Sequence, residues 1–420
     1  MDNKPRIGVL GGYRGKSFCD YCLNFDRLEL VAVCDYNDDV LNDLKSYFSE
    51  RKVDVKLVKD FTELLEMNLD GIVIANYANE HVKYAIECLK RNINVLSEVL
   101  PAFNLKECVE LVEAQENSKA IYFYAENYCY MGISREMKRM NEAGLLGTIE
   151  YAEGEYFHNC EPIWPSLAYG DKNHWRNTKH AFYYCTHSLG PIIHATKLRP
   201  VKVIGLESPH NNKMKRMGAL SAQYGIEMVT LENGAIVKSG HGELQDNSIR
   251  FVLCGSLGRV ESALENEKRS KGGKASELIY AALSLKEEEA TGSVDTYIVP
   301  NKFNLQSDNS HYVADVYVMD AFADILYGLK TDYIDVYEAM DMFLPGIFAY
   351  KSVLNGGIQM DIPNFRIKEE RDKWKNDVSC TSKEIAGDQV LPAYSKGNPI
   401  IPDEIYEEQR KKYEEQKNEK

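Results

Sequence analysis

No stretch of the chain approaches the roughly 18 consecutive apolar residues that a membrane-spanning helix needs, so a membrane partner is not expected. The first residues, Met1 to Arg6, pass straight into an apolar strand without the apolar core of a secretory signal, and the expected location is the cytoplasm. Positive charge is also short. The formal net charge of -14 repels phosphate backbones and excludes nucleic acid as the main partner. Paired cysteines are missing too: the 10 cysteines lie singly, mostly in apolar runs where a reduced thiol packs as a small hydrophobe. The one C-x-x-C spacing, Cys19 and Cys22, has no second pair and falls in a predicted helix, which points to packing rather than redox or metal chemistry. Internal repeats and low-complexity tracts are absent. At 420 residues the chain exceeds one typical core, so two domains are expected.

What is present begins with a strand, a glycine turn and a helix. Arg6 to Leu10 runs into Gly11, Gly12, Tyr13, Arg14 and Gly15, then into a helix through Leu23. Glycine lets the chain turn tightly and the backbone approach a pyrophosphate, whose charge then sits at the helix N-terminus. The spacing departs from G-x-G-x-x-G, since Leu10 stands where the first glycine belongs. A second apolar run, Leu28 to Cys34, ends in Asp35, placed where a dinucleotide-binding fold puts the carboxylate for the adenosine ribose. Asp35 would repel a 2'-phosphate and no arginine directly follows it, so NAD is the expected cofactor. Strand and helix patterns alternate on to Ala125, which predicts an α/β doubly wound parallel sheet, a Rossmann domain. Ligands bind such sheets at the carboxyl ends of the strands, where Asn76, Glu98 and Asn127 fall.

Beyond Gly147 the texture changes to strand-like segments joined by polar turns: 148–158, 201–207, 226–232, 235–240, 249–254 and 259–261. These predict a C-terminal α+β domain with a largely antiparallel open sheet. Lys268 to Lys274 reads as a charged loop, and Val313 to Leu326 and Val336 to Val353 as apolar helices. The expected domains are 1–127, binding NAD, 128–365, for substrate and dimerisation, and a polar extension, 366–420. In the extension, Glu407/Lys411 and Glu408/Lys412 suit a solvated helix.

The segment His174 to His194 concentrates hydrogen-bonding and titratable groups: Trp175, Arg176, Tyr183, Tyr184, Thr186 and His187 precede the apolar run from Leu189. An imidazole exchanges protons near neutral pH, which makes His187 a candidate acid or base; a tyrosine such as Tyr184 needs a neighbouring cation to do so, and Arg176 is available. The bland alternative, a histidine satisfied in a core, stays open. His180, His187 and His194 recur every seven residues, but seven helical residues rise about 10.5 Å, too far to share one ion, so no metal is expected. Tyr122, Tyr124, Tyr128 and Tyr130 cluster at one strand end, and only Tyr130 is taken into the candidate site.

With these residues placed, the chain resembles the Gfo/Idh/MocA oxidoreductase family over roughly residues 5 to 365. The likeness is carried by the glycine turn, Asp35, V-L-S-E-V at 95–99, G-L-L-G at 144–147 and N-G-G-I-Q-M-D-I-P at 355–363. Within it, E-V-L-P-A at 98–102, A-E-N-Y-C-Y at 125–130, W-R at 175–176 and Y-C-T-H-S-L-G-P at 184–191 are similar to the NAD-dependent glycosidases of the α-N-acetylgalactosaminidase kind. The resemblance implies hydride transfer from C3 of a bound carbohydrate, elimination of the C1 substituent, water addition and re-reduction. It implies His187, Tyr184 and Tyr130 as catalytic, Arg176, Trp175, Thr186 and, loosely, His311 as substrate-side residues, and a homo-oligomer formed through the second sheet. Val99 and Leu100 occupy the lysine and proline of the E-K-P that family dehydrogenases carry, which argues against a lysine-assisted dehydrogenase; Cys185 and Ser188 replace a proline and a glycine of the glycosidase motif. A plain sugar or cyclitol dehydrogenase and a non-catalytic dinucleotide-binding regulator are the alternatives.

Overall fold

The computed structural model describes residues 4–263, 278–289, 291–303, 305 and 310–418; the predicted loop Lys268 to Lys274 lies outside them. The chain divides into two compact units, each discontinuous in sequence.

Unit 1 comprises Met1–Met131, Leu305–Met340 and Phe365–Asn376. Its sheet is formed by β1 (Arg6–Leu10), β2 (Glu29–Cys34), β3 (Lys56–Val58), β4 (Gly71–Ile74), β5 (Asn94–Ser97) and β6 (Tyr122–Tyr124). The order is β3-β2-β1-β4-β5-β6 and every pairing is parallel. Helices cover both faces, which is why the central runs Ile7 to Leu10 and Gly71 to Ile74 are apolar at every position and buried. The order reverses between β1 and β4, so a crevice opens outside their carboxyl ends. Short polar residues start the helices: Asn37 accepts from the Asp39 N–H and Asn104 from the Glu107 N–H.

The predicted boundaries at 127 and 365 differ from these units. The helix Ser310–Leu326 belongs to unit 1, because its carboxylates find their cations there: Arg27 pairs with Asp320 and Asp324, Arg14 with Asp315. Arg371, buried, likewise joins unit 1 through Glu116 and the Phe365 carbonyl.

Unit 2 comprises Gly132–Asn304, Asp341–Asn364 and Asp377–Lys420. Its strands are β7 (Ile149–Phe157), β8 (Pro200–Glu207), β9 (Tyr224–Leu231), β10 (Ile236–Gly242), β11 (Ser248–Gly255), β12 (Gly258–Ser262), β13 (Leu278–Leu283), β14 (Ser293–Ile298) and β15 (Met360–Asp361). They run in the order β14-β13-β12-β11-β7-β10-β9-β8-β15, antiparallel throughout except for the central β7/β10 pair. The helix Cys185–Thr196 is buried along its whole length and rests on that pair. Gly154 makes the contact possible, since a Cβ there would stand 1.8 Å from the Ser188 carbonyl oxygen.

The C-terminal helix Asp403–Asn418 departs from the expected solvated helix. Tyr406 and Gln409 are buried, donating to the carbonyls of Gly218 (3.0 Å) and Arg216 (2.8 Å), and Gln416 accepts from Ser166 (2.7 Å). Glu408 pairs with Lys412 as predicted, whereas Lys411 pairs with Glu415. A polar composition hides the docking because backbone carbonyls, not an apolar stripe, receive it.

Candidate active site

In unit 1 the glycine turn and Asp35 form one construction. Gly11 caps the helix Gly12–Asn24 at φ 92, and a Cβ on it would meet the Ala75 carbonyl and Asn76 N–H at 2.4–2.5 Å. Gly15 packs against Val9, bringing helix to strand. Asp35 accepts from the Gly12 N–H (2.7 Å) and the Asn37 N–H (2.8 Å), which fixes its carboxylate at the end of β2. Tyr13 lies exposed on the helix Gly12–Asn24, and the buried Asn76 Oδ1 has no hydrogen-bond partner among the described residues. A fixed carboxylate, a glycine cradle and an orphaned polar atom fit a dinucleotide.

Arg14 is engaged differently from a phosphate contact. It donates to both oxygens of Asp315 (2.8 and 2.9 Å) and pairs with Glu98. Asn127 donates to Asp315 (3.0 Å) and lies 3.2 Å from His311 Nδ1, while the Tyr128 hydroxyl meets His311 Nε2 at 2.7 Å. Burial opposes the ionised form of Asp315, but Arg14, Asn127 and His311 outweigh it and hold the carboxyl below its ordinary range. His311, predicted on the substrate side, thus belongs to this network of unit 1. Tyr130 is also in unit 1, buried against Phe123, and burial pushes its phenol well above the usual tyrosine range, which disfavours a proton-transfer role for it.

In unit 2 the predicted residues converge. His174 caps the short helix Trp175–Thr178 by accepting from the Arg176 N–H. Arg176 then donates from Nη1 to the Tyr184 phenol oxygen (2.8 Å), with its guanidinium 4.6 Å above the Trp175 ring. Tyr184 stands at the N-cap of the helix Cys185–Thr196 and His187 in its first turn, so their rings lie nearly parallel, 6° apart with centroids separated by 5.7 Å. Tyr156 on β7 approaches the other side of His187 at 4.6 Å. Thr186, on the same turn, is fully buried in the packed helix. His180 stacks on Tyr350, and burial brings it down to about 3.

Sequence reasoning missed Lys179, whose ammonium lies 4.7 Å over the Tyr184 ring, and Glu243, 4.0 Å from that ammonium. It also missed Glu227, fully buried on β9 beneath the helix. Lys179 follows Arg176 closely enough to have been noticed; Glu243 and Glu227 carry no local signal.

Fold and site together define a dinucleotide-binding α/β unit joined to a second, sheet-based unit that gathers an arginine, a tyrosine and a histidine. Residues 6–126 match the Gfo/Idh/MocA family model, described as an oxidoreductase family with an NAD-binding Rossmann fold. Glycosyl hydrolase family 109 protein 5 of Phocaeicola vulgatus is 29% identical over 281 residues, 60% of this chain and 54% of that protein, so the chain spans about half the length of this relative. The alpha-N-acetylgalactosaminidase of Bacteroides fragilis is 24% identical across 90% of this chain and 95% of its own. Among solved structures, an oxidoreductase from Agrobacterium radiobacter in complex with NAD+, L-tartaric acid and magnesium superposes with a TM-score of 0.69 at 14% identity, covering 86% of this chain and 98% of that one, which establishes likeness of fold.

Proposed function

We propose that the protein is an NAD-dependent enzyme that cleaves a glycosidic bond through transient oxidation of the sugar. The observation that carries the reading is the Arg176–Tyr184–His187 arrangement, two proton-exchanging groups stacked on one helix turn with a guanidinium on the phenol oxygen. Gly11, Gly12 and Asp35 would hold the cofactor, and Asp35 favours NAD over NADP because a 2'-phosphate would meet its charge. Bound NAD supplies reversible hydride acceptance at C3 of the sugar, which acidifies the C2 proton. Tyr184, with Arg176 stabilising charge on its oxygen, serves as the base for that proton, and His187 exchanges protons with the departing C1 substituent and the incoming water. Trp175 offers an aromatic wall to the sugar ring. The names of the family 109 relatives support a carbohydrate substrate. The 10 free cysteines support a reducing, cytoplasmic setting. Leu206 and Ile236 lie exposed on the sheet face opposite the helix Cys185–Thr196, which supports a homo-oligomer.

The test is incubation of the purified protein with aryl glycosides of both anomeric types, with and without NAD. We expect aryl release without accumulating NADH, lost in His187→Ala while NAD affinity stays within about threefold. Stoichiometric NADH from free sugars would replace this reading with a simple dehydrogenase, and no turnover of either kind would favour a regulator.

A further inference from the structure

Lys179 ends the short helix Trp175–Thr178, and its ammonium is enclosed by protein, the side chain only 13% exposed. It lies 4.7 Å over the face of Tyr184 and 5.5 Å over that of Trp164. Its one carboxylate neighbour among the described residues, Glu243, is 4.0 Å away, beyond direct hydrogen-bonding distance. Glu243 is itself fixed: its side chain is buried, Oε2 accepts from the Cys160 N–H (2.9 Å), and its backbone bonds to Gln223 from both its N–H and its carbonyl. A lysine normally keeps its head in water, so an ammonium held against two ring faces by one distant carboxylate leaves much of its charge acting on its surroundings. The effect reaches several groups. Burial is the largest cause holding His180, His241 and His158 below the ordinary imidazole value, and Lys179 adds to it in each.

Tyr184 is therefore flanked by two cations, Arg176 at its oxygen and Lys179 over its ring, on the one residue to which the proposed mechanism gives the C2 proton. Facing Tyr184 on the other sides are the His187 ring and the edge of Tyr183. Around Lys179 stand Glu243, Cys160, His158, His180 and His241. Glu243 is the carboxylate among them.

We propose that Lys179 is a positioning residue that acts through Tyr184: its charge favours the phenolate form from which Tyr184 takes up the C2 proton, and Glu243 sets how much of that charge Tyr184 feels. The inference rests on the glycosidase reading for its place in the reaction, but the electrostatic coupling can be measured without turnover. In ultraviolet difference titration, the transition missing from Tyr184→Phe identifies the phenol. It should move to higher pH by about one unit in Lys179→Met, stay within about 0.3 unit of wild type in Lys179→Arg, and move to lower pH in Glu243→Gln. In the NAD-loaded enzyme, Lys179→Met should lower kcat for aryl release about 10-fold or more at neutral pH with KM changed less than threefold, its ascending pH limb shifted in the same direction. Lys179→Arg should restore kcat. A Tyr184 transition that ignores both the Lys179→Met and Glu243→Gln changes overturns the proposal, as does a uniform loss of kcat at every pH. A transition that moves as expected in a protein without glycosidase activity upholds the coupling and removes the glycosidase reading alone.

Discussion

Glu227 offers the sharpest test of the packing beneath the site. It sits on β9 opposite Ser239 of β10, fully buried, and neither carboxylate oxygen makes a hydrogen bond among the described residues. Ser239 lies near enough to ease the charged form yet out of bonding geometry; its hydroxyl is shared with Ser188, 2.8 Å away, and Ser188 in turn meets His241 Nδ1 at 3.2 Å. Burial pushes Glu227 up to about 8, so the folded protein keeps a proton that the unfolded chain releases near pH 4.3. Between those values the folded state binds more protons, and stability must fall as pH rises. The slope is about 1.4 kcal/mol per pH unit, roughly 5 kcal/mol across the window, which local relaxation and water entry reduce to about 2–4 kcal/mol. Glu227→Gln keeps the shape and abolishes the titration. In urea unfolding of the transition that reports unit 2, the variant should gain about 2–4 kcal/mol over wild type at pH 9 and differ by less than about 1 kcal/mol at pH 5. A difference that is the same at both pH values would refute the reasoning, because it would mean the carboxyl is not protonated in the fold.

Two further predictions follow from the two units. Asp35→Ser should weaken NAD binding by about 10- to 100-fold, the loss expected of a hydrogen bond to a charged group, while narrowing the preference over NADP; calorimetric titration with both cofactors checks it, and an unchanged ratio would remove Asp35 from cofactor choice. Gly170, at φ 63, would place a Cβ 2.4 Å from the Arg410 backbone nitrogen, so Gly170→Ala should destabilise unit 2 by roughly 2–4 kcal/mol and expose the C-terminal helix to limited proteolysis. Protease resistance equal to wild type would show that the helix docks by other means.

The parts of this fold that rest on short-range order were legible. Apolar runs separated by amphipathic segments announce a parallel sheet, and the turn at Gly11 with Asp35 after the next strand locates its ligand end, because β–α–β geometry sets that spacing. The Arg176–Tyr184–His187 group was legible for the same reason: three residues along one helix turn bring Tyr184 against His187, and Arg176 lies only eight residues upstream. Even the departure from the glycine pattern proved consistent, since Gly11, not position 10, is the residue that must take a positive φ.

Side-chain chemistry settled by distant partners was not legible. Arg14 sits in the glycine turn expected to bind the cofactor, yet Asp315, 301 positions away, takes both of its arms. The terminal helix looked solvated because the carbonyls that receive Tyr406 and Gln409 lie about 190 residues earlier and leave no mark on composition. The amino-acid sequence by itself determined the alternating strands and helices of the first unit, its parallel doubly wound class and the local triad, since hydrophobic period and turn chemistry act over a few residues. Only the tertiary structure decided which charges are enclosed and by what, and so made Lys179 a largely enclosed cation facing Tyr184 and Glu227 a carboxyl that holds its proton; desolvation depends on everything packed around a group, and that is assembled from the whole chain.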